Sequence, residues 1–503
     1  MSVQGTGKRR WYEGLTRYHY WVLLVAVMSW MFDCMDQQIF VRSRQNAVSA
    51  LLKAEIEEYR KEELPRLRSE AEKEVQSESE AGKLDPGKRA QEIENRTNER
   101  IKSAEENLVN RFGNLATALM IFGWSVGGFF FGIYGDKLGR VKTLAITISM
   151  YSVFTGLSGL SVSVYDFCIY RFIMGCGIGG AFATAATLIA ETMPDHARAT
   201  ALGLFQALSA VGNVLGNVIA RFVIRPESFY LDGLFQDGVM GWRLLFFVGT
   251  IPALLAVLIM RSIEEPPAWR QAREDAASRL DRQLGDLKSL FGTKRWRRNT
   301  FVGVSLAVIG VIGLWGIGFW SPELIQDVFK GQLSDKELSN LKSNGLIIQN
   351  IGAFFGMVAF TYVATRLGRR LAFGLAFFIG WVVVSGVFLF LSSEWQVYPM
   401  YFILGFATLA LFGGYAIYFP ELYPTRLRST GTGFCYNVGR VVAATIMLFK
   451  IPIDAALAGA KGYFRTAMAA FALVYLLGFI VLIWAPETKG RPLPTDDEVE
   501  SGA

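Results

Sequence analysis

Two aspartates, Asp33 and Asp36, stand three residues apart in an apolar stretch, Phe32-Asp33-Cys34-Met35-Asp36-Gln37-Gln38. On a helix that spacing puts both carboxylates on one face. Two carboxylates so close in a low-dielectric cavity cannot both ionise cheaply, so the pair is a candidate proton carrier. The plainer alternative is a solvated pair at the outer mouth, or one bound to a neighbouring base. Arg171, ahead of Gly175, Gly177, Gly179 and Gly180, keeps its charge. It is suited to hold a substrate carboxylate in a fork, or to pair with an aspartate. Arg440 lies twelve residues beyond Arg428, about 18 Å along a helix. If Arg428 marks the helix end, Arg440 falls near the middle, where a cation calls for a substrate or gating role. Tyr436 and Asn437 precede it by about one turn and are candidates to line the same cavity. Gln206, Gln349 and Asn350 are further polar candidates, equally well explained as helix-to-helix bonds.

A repeat organises these residues. Glu191-Thr-Met-Pro194-Asp-His-Ala-Arg198, with Gly203, returns 230 residues later as Glu421-Leu-Tyr-Pro424-Thr-Arg-Leu-Arg428, with Gly433. At the same offset Arg140, closing Gly135-Asp136-Lys-Leu-Gly-Arg140, meets Arg370. Two parallel halves built of apolar helices form the design of a transporter with its site between the halves. Asp136, Arg140, Glu191, Arg198, Glu421 and Arg428, all near helix ends on one side, are read as a charge-linked gate.

The elements that must carry these residues are membrane helices. The chain has 503 residues, 52% of them hydrophobic, and its mean hydropathy is positive. Short connectors carry most of the charge, and long windows carry almost none. Twelve spans are expected: 20–40, 112–134, 142–163, 166–190, 199–223 and 242–262, then 300–320, 345–365, 371–392, 396–419, 431–450 and 464–485. Lipid offers backbone groups no partner, so the spans must be helical. The expected fold is therefore all-α: an N-terminal half over 1–263, a linker over 264–299, a C-terminal half over 300–486 and a tail over 487–503. Lys8, Arg9, Arg10, Arg17, Lys137, Arg140, Lys142, Arg366, Arg369 and Arg370 fall on one side of such a bundle. By the positive-inside rule that side is cytoplasmic, with both termini, in a cell membrane. The formal charge of +7 reflects these loops and gives no reason to expect nucleic acid as a partner. A small-molecule substrate and the bilayer are the expected partners, and a monomer the expected state. Four cysteines inside apolar segments and only two histidines provide no metal-ligand spacing. No cofactor is expected beyond a proton as coupling ion. No nucleophile–base constellation points to an enzyme.

Residues 41–111 depart from a minimal twelve-helix plan. They carry dense charge of both signs, with apolar residues near helical spacing on either side of Ala81-Gly-Lys-Leu-Asp-Pro-Gly87, a strong turn signal. The expectation is an antiparallel helical hairpin extending spans 1 and 2 outward. A solvated spacer, and a docking or lid element, are the other readings.

These motifs resemble the major facilitator superfamily over essentially the whole chain except 41–111. Gly135-Asp-Lys-Leu-Gly-Arg140 looks like its signature between spans 2 and 3. Pro420-Glu-Leu-Tyr-Pro424 and Pro486-Glu-Thr-Lys-Gly490 look like its sugar-porter-related branch. The span 1 aspartates, Arg171 and the Arg428/Arg440 pair resemble the aromatic acid:proton symporters, where such positions serve proton coupling and carboxylate binding. Here Cys34 and Met35 replace the glycine and aromatic residue of that family's span 1 signature. The resemblance implies proton-coupled symport of a small organic anion, aromatic carboxylates among the candidates, by alternating access. Asp33 and Asp36 would handle the proton, and Arg171, Arg440, Tyr436, Asn437, Gln206 and Gln349 the substrate. A sugar or polyol porter is the runner-up: Trp124, Gln206, Trp315, Trp320 and Gln349 suit a neutral ligand, while Arg171 and Arg440 do not. A receptor that binds without transporting stands third, against the gate motifs in both halves.

Overall fold

The computed structural model describes residues 10–80, 86–223, 241–279, 282–317, 320–457 and 463–495. Among them there is no β-strand. The chain opens with α1 (Arg17–Leu51), started by a capping box in which Thr16 accepts from the His19 backbone. Helix α2 (Lys53–Glu80) follows after one residue. It packs against α3 (Arg89–Lys137), a continuous helix of 49 residues. The pairs Arg60–Glu105, Arg100–Glu74 and Arg96–Glu78 run in antiparallel order along the two helices. Most of the expected turn between them, 81–85, lies outside the described residues. Then come α4 (Arg140–Gly159), α5 (Val164–Thr192), α6 (Asp195–Ala207), α7 (Ser209–Val223), α8 (Gly241–Val248) and α9 (Ala253–Ser262). The connector holds α10 (Pro267–Ser278) and α11 (Leu287–Gly292). The second half contains α12 (Lys294–Val311), α13 (Ser321–Phe329), α14 (Asp335–Leu367), α15 (Arg369–Phe390) and α16 (Glu394–Glu421). It ends with α17 (Arg428–Leu457), α18 (Tyr463–Phe471) and α19 (Val474–Trp484).

Ten of the described helices or joined helix pairs are long and apolar enough to cross a membrane. The stretches 142–163 and 431–450, also expected as spans, fall on the helices α4 and α17, which are not among those ten. Large apolar side chains such as Phe122, Phe222, Leu254, Tyr362 and Phe390 project from these helices with more than half their surface exposed, as a lipid-facing exterior requires.

The repeat extends to local structure. Ser163 caps α5 with Asp166 in a capping box, and Ser393 stands in the same relation to α16 and Gln396, 230 residues on. Glycine lets one helix ride directly on the next. A Cβ on Gly179 would fall 2.0 Å from the Trp124 carbonyl of α3, and one on Gly405 would fall 1.8 Å from the Gln349 carbonyl of α14. Gly405→Val should therefore force α14 and α16 apart and lower the melting temperature of the purified protein; overpacking of this kind costs about 1–3 kcal/mol. An unchanged melting curve would show that the contact tolerates a side chain.

In one respect the register departs from the 230-residue offset. The residue equivalent to Arg140 is Arg369, not Arg370. Gly139 and Gly368 both take positive φ, 114° and 109°, to start α4 and α15, and each is followed by a buried arginine. The second copy has one more residue between that arginine and the serine cap, which moves the offset from 229 to 230.

A buried ion-pair interface at the basic face and a buried charge cluster between the halves

At the end of the bundle that carries the basic loops, the two copies build the same motif. Arg140 grips Glu191 with two bonds of 2.9 and 2.8 Å and donates to the Gly135 carbonyl at 2.8 Å. Arg369 grips Glu421 at 3.0 and 2.6 Å and donates to the Ala364 carbonyl at 3.1 Å. A second carboxylate braces each arginine's backbone: Glu265 accepts from Arg140 and Val141, and Glu487 from Arg369 and Arg370. Partial burial opposes ionisation of Glu487, but these N–H groups, that of Lys489 and the Arg369 charge outweigh it, and its pKa lies below the ordinary value. Neither glutamate drew attention as a gate candidate in the sequence, because each belongs to a short Glu/Pro-containing segment far from its partner.

The symmetry stops where the halves meet. Glu191 also accepts a 2.7 Å bond from Arg428 of the second half, and Arg140 donates to the Thr425 carbonyl at 2.6 Å. Asp136 reaches across to the first turn of α17, accepting from the backbones of Ser429 (3.1 Å) and Thr430 (2.8 Å) and from the Thr430 hydroxyl (2.6 Å). A carboxylate at a helix N-terminus satisfies donors that would otherwise be orphaned and meets the positive end of the dipole. Arg140 sits 3.1 Å from Asp136 and ties the two bridges together. Glu421 makes no such crossing among the described residues: besides Arg369 it accepts from Thr488 of its own half. Arg198 also stays within its half, bonding to the Ala190 carbonyl and to Asp195. Of the six residues read as a gate, the structure thus brings Asp136, Arg140, Glu191 and Arg428 together and leaves Arg198 and Glu421 outside the crossing.

Deeper in the bundle, the aspartates of α1 have different surroundings. Both are fully buried. Asp36 accepts from Thr155 of α4 at 3.1 Å and stands 4.0 Å from the Arg171 guanidinium. Arg171 makes two bonds to Ser158, at 3.0 and 2.6 Å, and is walled by the rings of Phe40, Phe167 and Phe246. All of these partners belong to the first half. Of the two roles open to Arg171, the geometry matches pairing with Asp36 rather than contact with a ligand between the halves.

Asp33 turns the other way. One oxygen accepts from Gln37 at 3.2 Å, and the other has no hydrogen-bond partner among the described residues. The charges that bear on it are those of Asp36, one turn on, and of Arg440, from α17 of the second half. Arg440 itself is buried, over the ring of Trp124 at 3.6 Å and of Tyr436 at 4.2 Å, and donates to Asn437 at 2.9 Å. Tyr436 stacks on Phe182 of α5 with centroids 4.0 Å apart. The Nε of Arg440 and the indole N–H groups of Trp124, beneath its guanidinium, and of Trp30, against Phe182, also lack hydrogen-bond partners among the described residues, as does the side-chain oxygen of Gln206 on α6. Buried polar atoms are normally satisfied, so such a concentration marks a place where a polar ligand fits. Gln349 is committed to Ser321 at 2.8 Å, and Asn350 to the Leu346 carbonyl at 2.9 Å, as helix-to-helix or intrahelical bonds. The side chain of Trp315 lies outside the described residues. Trp30 and Phe182 were missed as candidates in the sequence, since aromatic residues in apolar helices carry no signal of their own.

Known proteins share this architecture. The family model of the Major Facilitator Superfamily matches residues 108–448. The probable 4-methylmuconolactone transporter of Cupriavidus pinatubonensis is 28% identical over 396 residues, 77% of this chain and 85% of its own. The cis,cis-muconate transport protein of Acinetobacter baylyi is 30% identical over 347 residues, 68% of this chain and 78% of its own. Among solved structures, the proton:xylose symporter XylE bound to 6-bromo-6-deoxy-D-glucose superposes with a TM-score of 0.66 over 96% of this chain and 98% of that one, at 17% identity. That likeness is one of fold. The chain is a multi-pass membrane transporter, not an enzyme, and belongs to the major facilitator superfamily.

Proposed function

We propose that the protein is a proton-coupled symporter of a small organic anion, working by alternating access between its two halves. The observation that carries this reading is the junction of Arg440 and Asp33. Arg440 of the second half is buried over Trp124 of the first, Asp33 is buried on α1, and each keeps a polar atom without a hydrogen-bond partner among the described residues. Arg440 would bind the substrate carboxylate, with Tyr436, Asn437 and Gln206 beside it and Phe182, Trp124 and Trp30 giving flat apolar walls. Asp33 would exchange a proton as the anion arrives, because a substrate carboxylate on Arg440 removes the cation that balances it. Asp36, held by Thr155 and Arg171, would relay that change to the first half. The basic-face bridges would form when the site opens to the other side and break when it opens to this one. With that face cytoplasmic, the direction is uptake across the cell membrane.

The names of the relatives support an acid: muconate is a dicarboxylate, and methylmuconolactone carries a carboxylate. The sugar reading draws on the XylE fold, but a buried arginine at the junction favours an anion over a neutral ligand.

Uptake into proteoliposomes under an imposed inward proton gradient tests the proposal, with muconate, benzoate, sialate and xylose as substrates. Accumulation of one acid, abolished by a protonophore, is the expected result. Xylose equilibration indifferent to the gradient would replace this reading with the sugar porter. Asp36→Asn should leave exchange of acid across the membrane intact and remove accumulation driven by the gradient. Undiminished gradient-driven accumulation would take Asp36 out of the coupling.

A further inference from the structure

One stripe of α3 carries its contact with the second half. Trp124 lies under the Arg440 guanidinium, 3.6 Å away. A Cβ on Gly128 would fall 1.9 Å from the Asn437 side-chain amide, and one on Gly132 would fall 3.1 Å from the Ser429 carbonyl. Asp136 binds the backbones of Ser429 and Thr430. These four residues of α3 stand four apart and so share one face of the helix. Along that face α3 rides on α17 from the level of Arg440 to the basic end. The basic face cannot open unless this stripe moves off α17.

The same helix does not end at the far side of the membrane. It runs unbroken from Arg89 to Lys137, and its first part pairs with α2 in the charged hairpin. A bare helix of this length would bend. Here a second helix braces it. Only Leu52 separates α1 from α2, and the helical bonds Leu52 to Val48 and Ile56 to Leu52 carry across the junction. Polar rungs then join the two arms: Arg44 to Thr117 (2.8 Å), Arg60 to Glu105 (2.7 Å) and Arg96 to Glu78 (2.7 Å). Between the rungs Ala71 and Val75 of α2 are buried, with Thr97 and Ile101 of α3. A single exposed ion pair is worth little, but rungs set along a buried interior hold two helices in register.

We propose that the hairpin is a lever on the seam: it carries the opening of the basic face to the opposite side of the membrane, and whatever holds it there acts back on the seam. This rests on the basic-face bridges acting as a gate and not on which substrate is carried. At 1.5 Å per residue Gln91 lies about 50 Å from Trp124 along α3, and Asp136 about 18 Å from it in the other direction. With the pivot near Trp124, a shift of about 3 Å at Asp136, enough to part its bonds to α17, moves Gln91 about 8 Å the opposite way. A partner that favours one tilt of the hairpin favours one state of the transporter by the same free energy.

Distances between spin labels, measured by electron resonance on the full-length protein with its native cysteines replaced, test this. One pair, Lys142→Cys with Arg370→Cys, spans the basic face. The other, Gln91→Cys with Lys330→Cys, joins the hairpin to the second half at the far face. Asp136→Asn/Glu191→Gln removes both carboxylates that cross the seam; if it fails to fold, Glu191→Gln alone takes its place. The basic-face distance should lengthen, and the hairpin distance should shorten by about 8 Å in the same fraction of molecules. Adding Arg96→Ala/Arg100→Ala should keep the first change and broaden the second distance. A second distance as sharp as before would uphold the lever and assign its stiffness to α3 alone. A basic face that opens while the hairpin distance stays fixed would overturn the lever and leave the gate standing. If neither distance changes, the crossing carboxylates do not hold the basic face closed, and the gate and the lever both fall.

Discussion

Arg440→Ala should abolish substrate uptake in proteoliposomes while the purified protein keeps its elution profile and melting temperature within a few degrees. The reason is the unequal use of the side chain. Its hydrogen-bond partners, Asn437 and Tyr436, both lie within four residues on its own helix, and its Nε has no partner among the described residues. A cation buried at 4% exposure and so lightly held by the protein is poorly explained as a structural pin. Its charge is nonetheless held over the ring of Trp124, which fixes its position without using its donors. Arg440→Lys separates charge from shape. A hydrogen bond to a charged group is worth about 1.5–3 kcal/mol, so losing the fork should weaken substrate binding about ten- to a hundredfold while transport continues at saturating substrate. Binding measured by calorimetry beside uptake distinguishes the two variants. Normal transport by the alanine variant would remove Arg440 from the site and leave the anion reading without its main support.

Much of this site was legible before any coordinates. The span 1 aspartates, Arg171 and Arg440 stand out because charge inside an apolar run is costly and therefore informative. The paired Glu–Pro–Arg–Gly motifs stand out because they occur twice. What the sequence did not reveal is which way each charge points. Asp33 and Asp36 share a helix face at the resolution of helical spacing, yet Asp36 stands against Arg171 and Thr155 while Asp33 bonds only to Gln37 among the described residues. A displacement of three residues on a helix is about 60° of rotation short of a full turn, enough to choose different neighbours. Gln349 and Asn350 show the opposite error of emphasis: their polarity drew attention, but their bonds are ordinary packing bonds. The offset of the repeat misled at Arg370, because a single extra residue is invisible to a count made from the far side of it. Phe182 and Trp30 gave no warning at all; only packing distinguishes an aromatic residue in a site from one in a core.

The break in symmetry at the basic face yields a sharper expectation. Glu191→Gln and Glu421→Gln are the same chemical change at repeat-related positions, and they should behave differently. Glu191 balances two buried arginines, Arg140 of its own half and Arg428 of the other. Removing its charge leaves both under-compensated, and breaking a buried pair costs about 3–5 kcal/mol. Because Arg428 belongs to the other half, the molecule can relieve much of that cost by letting the halves separate here. Glu191→Gln should therefore shift the protein toward the state open at the basic face. Glu421 pairs with Arg369 and Thr488 inside one half. Its loss has no such relief, and Glu421→Gln should lower the melting temperature without opening the interface. Ala183 of α5 is buried against Gly433 of α17 and reports on the seam. In an Ala183→Cys background with the native cysteines replaced, an impermeant maleimide applied from the basic face should label the Glu191→Gln protein on the order of a hundredfold faster, and the Glu421→Gln protein at the parent rate. Equal labelling of the two would mean that the crossing bonds of Glu191 and Asp136 do not hold the halves closed, and that the two copies of the motif serve only the stability of their own halves.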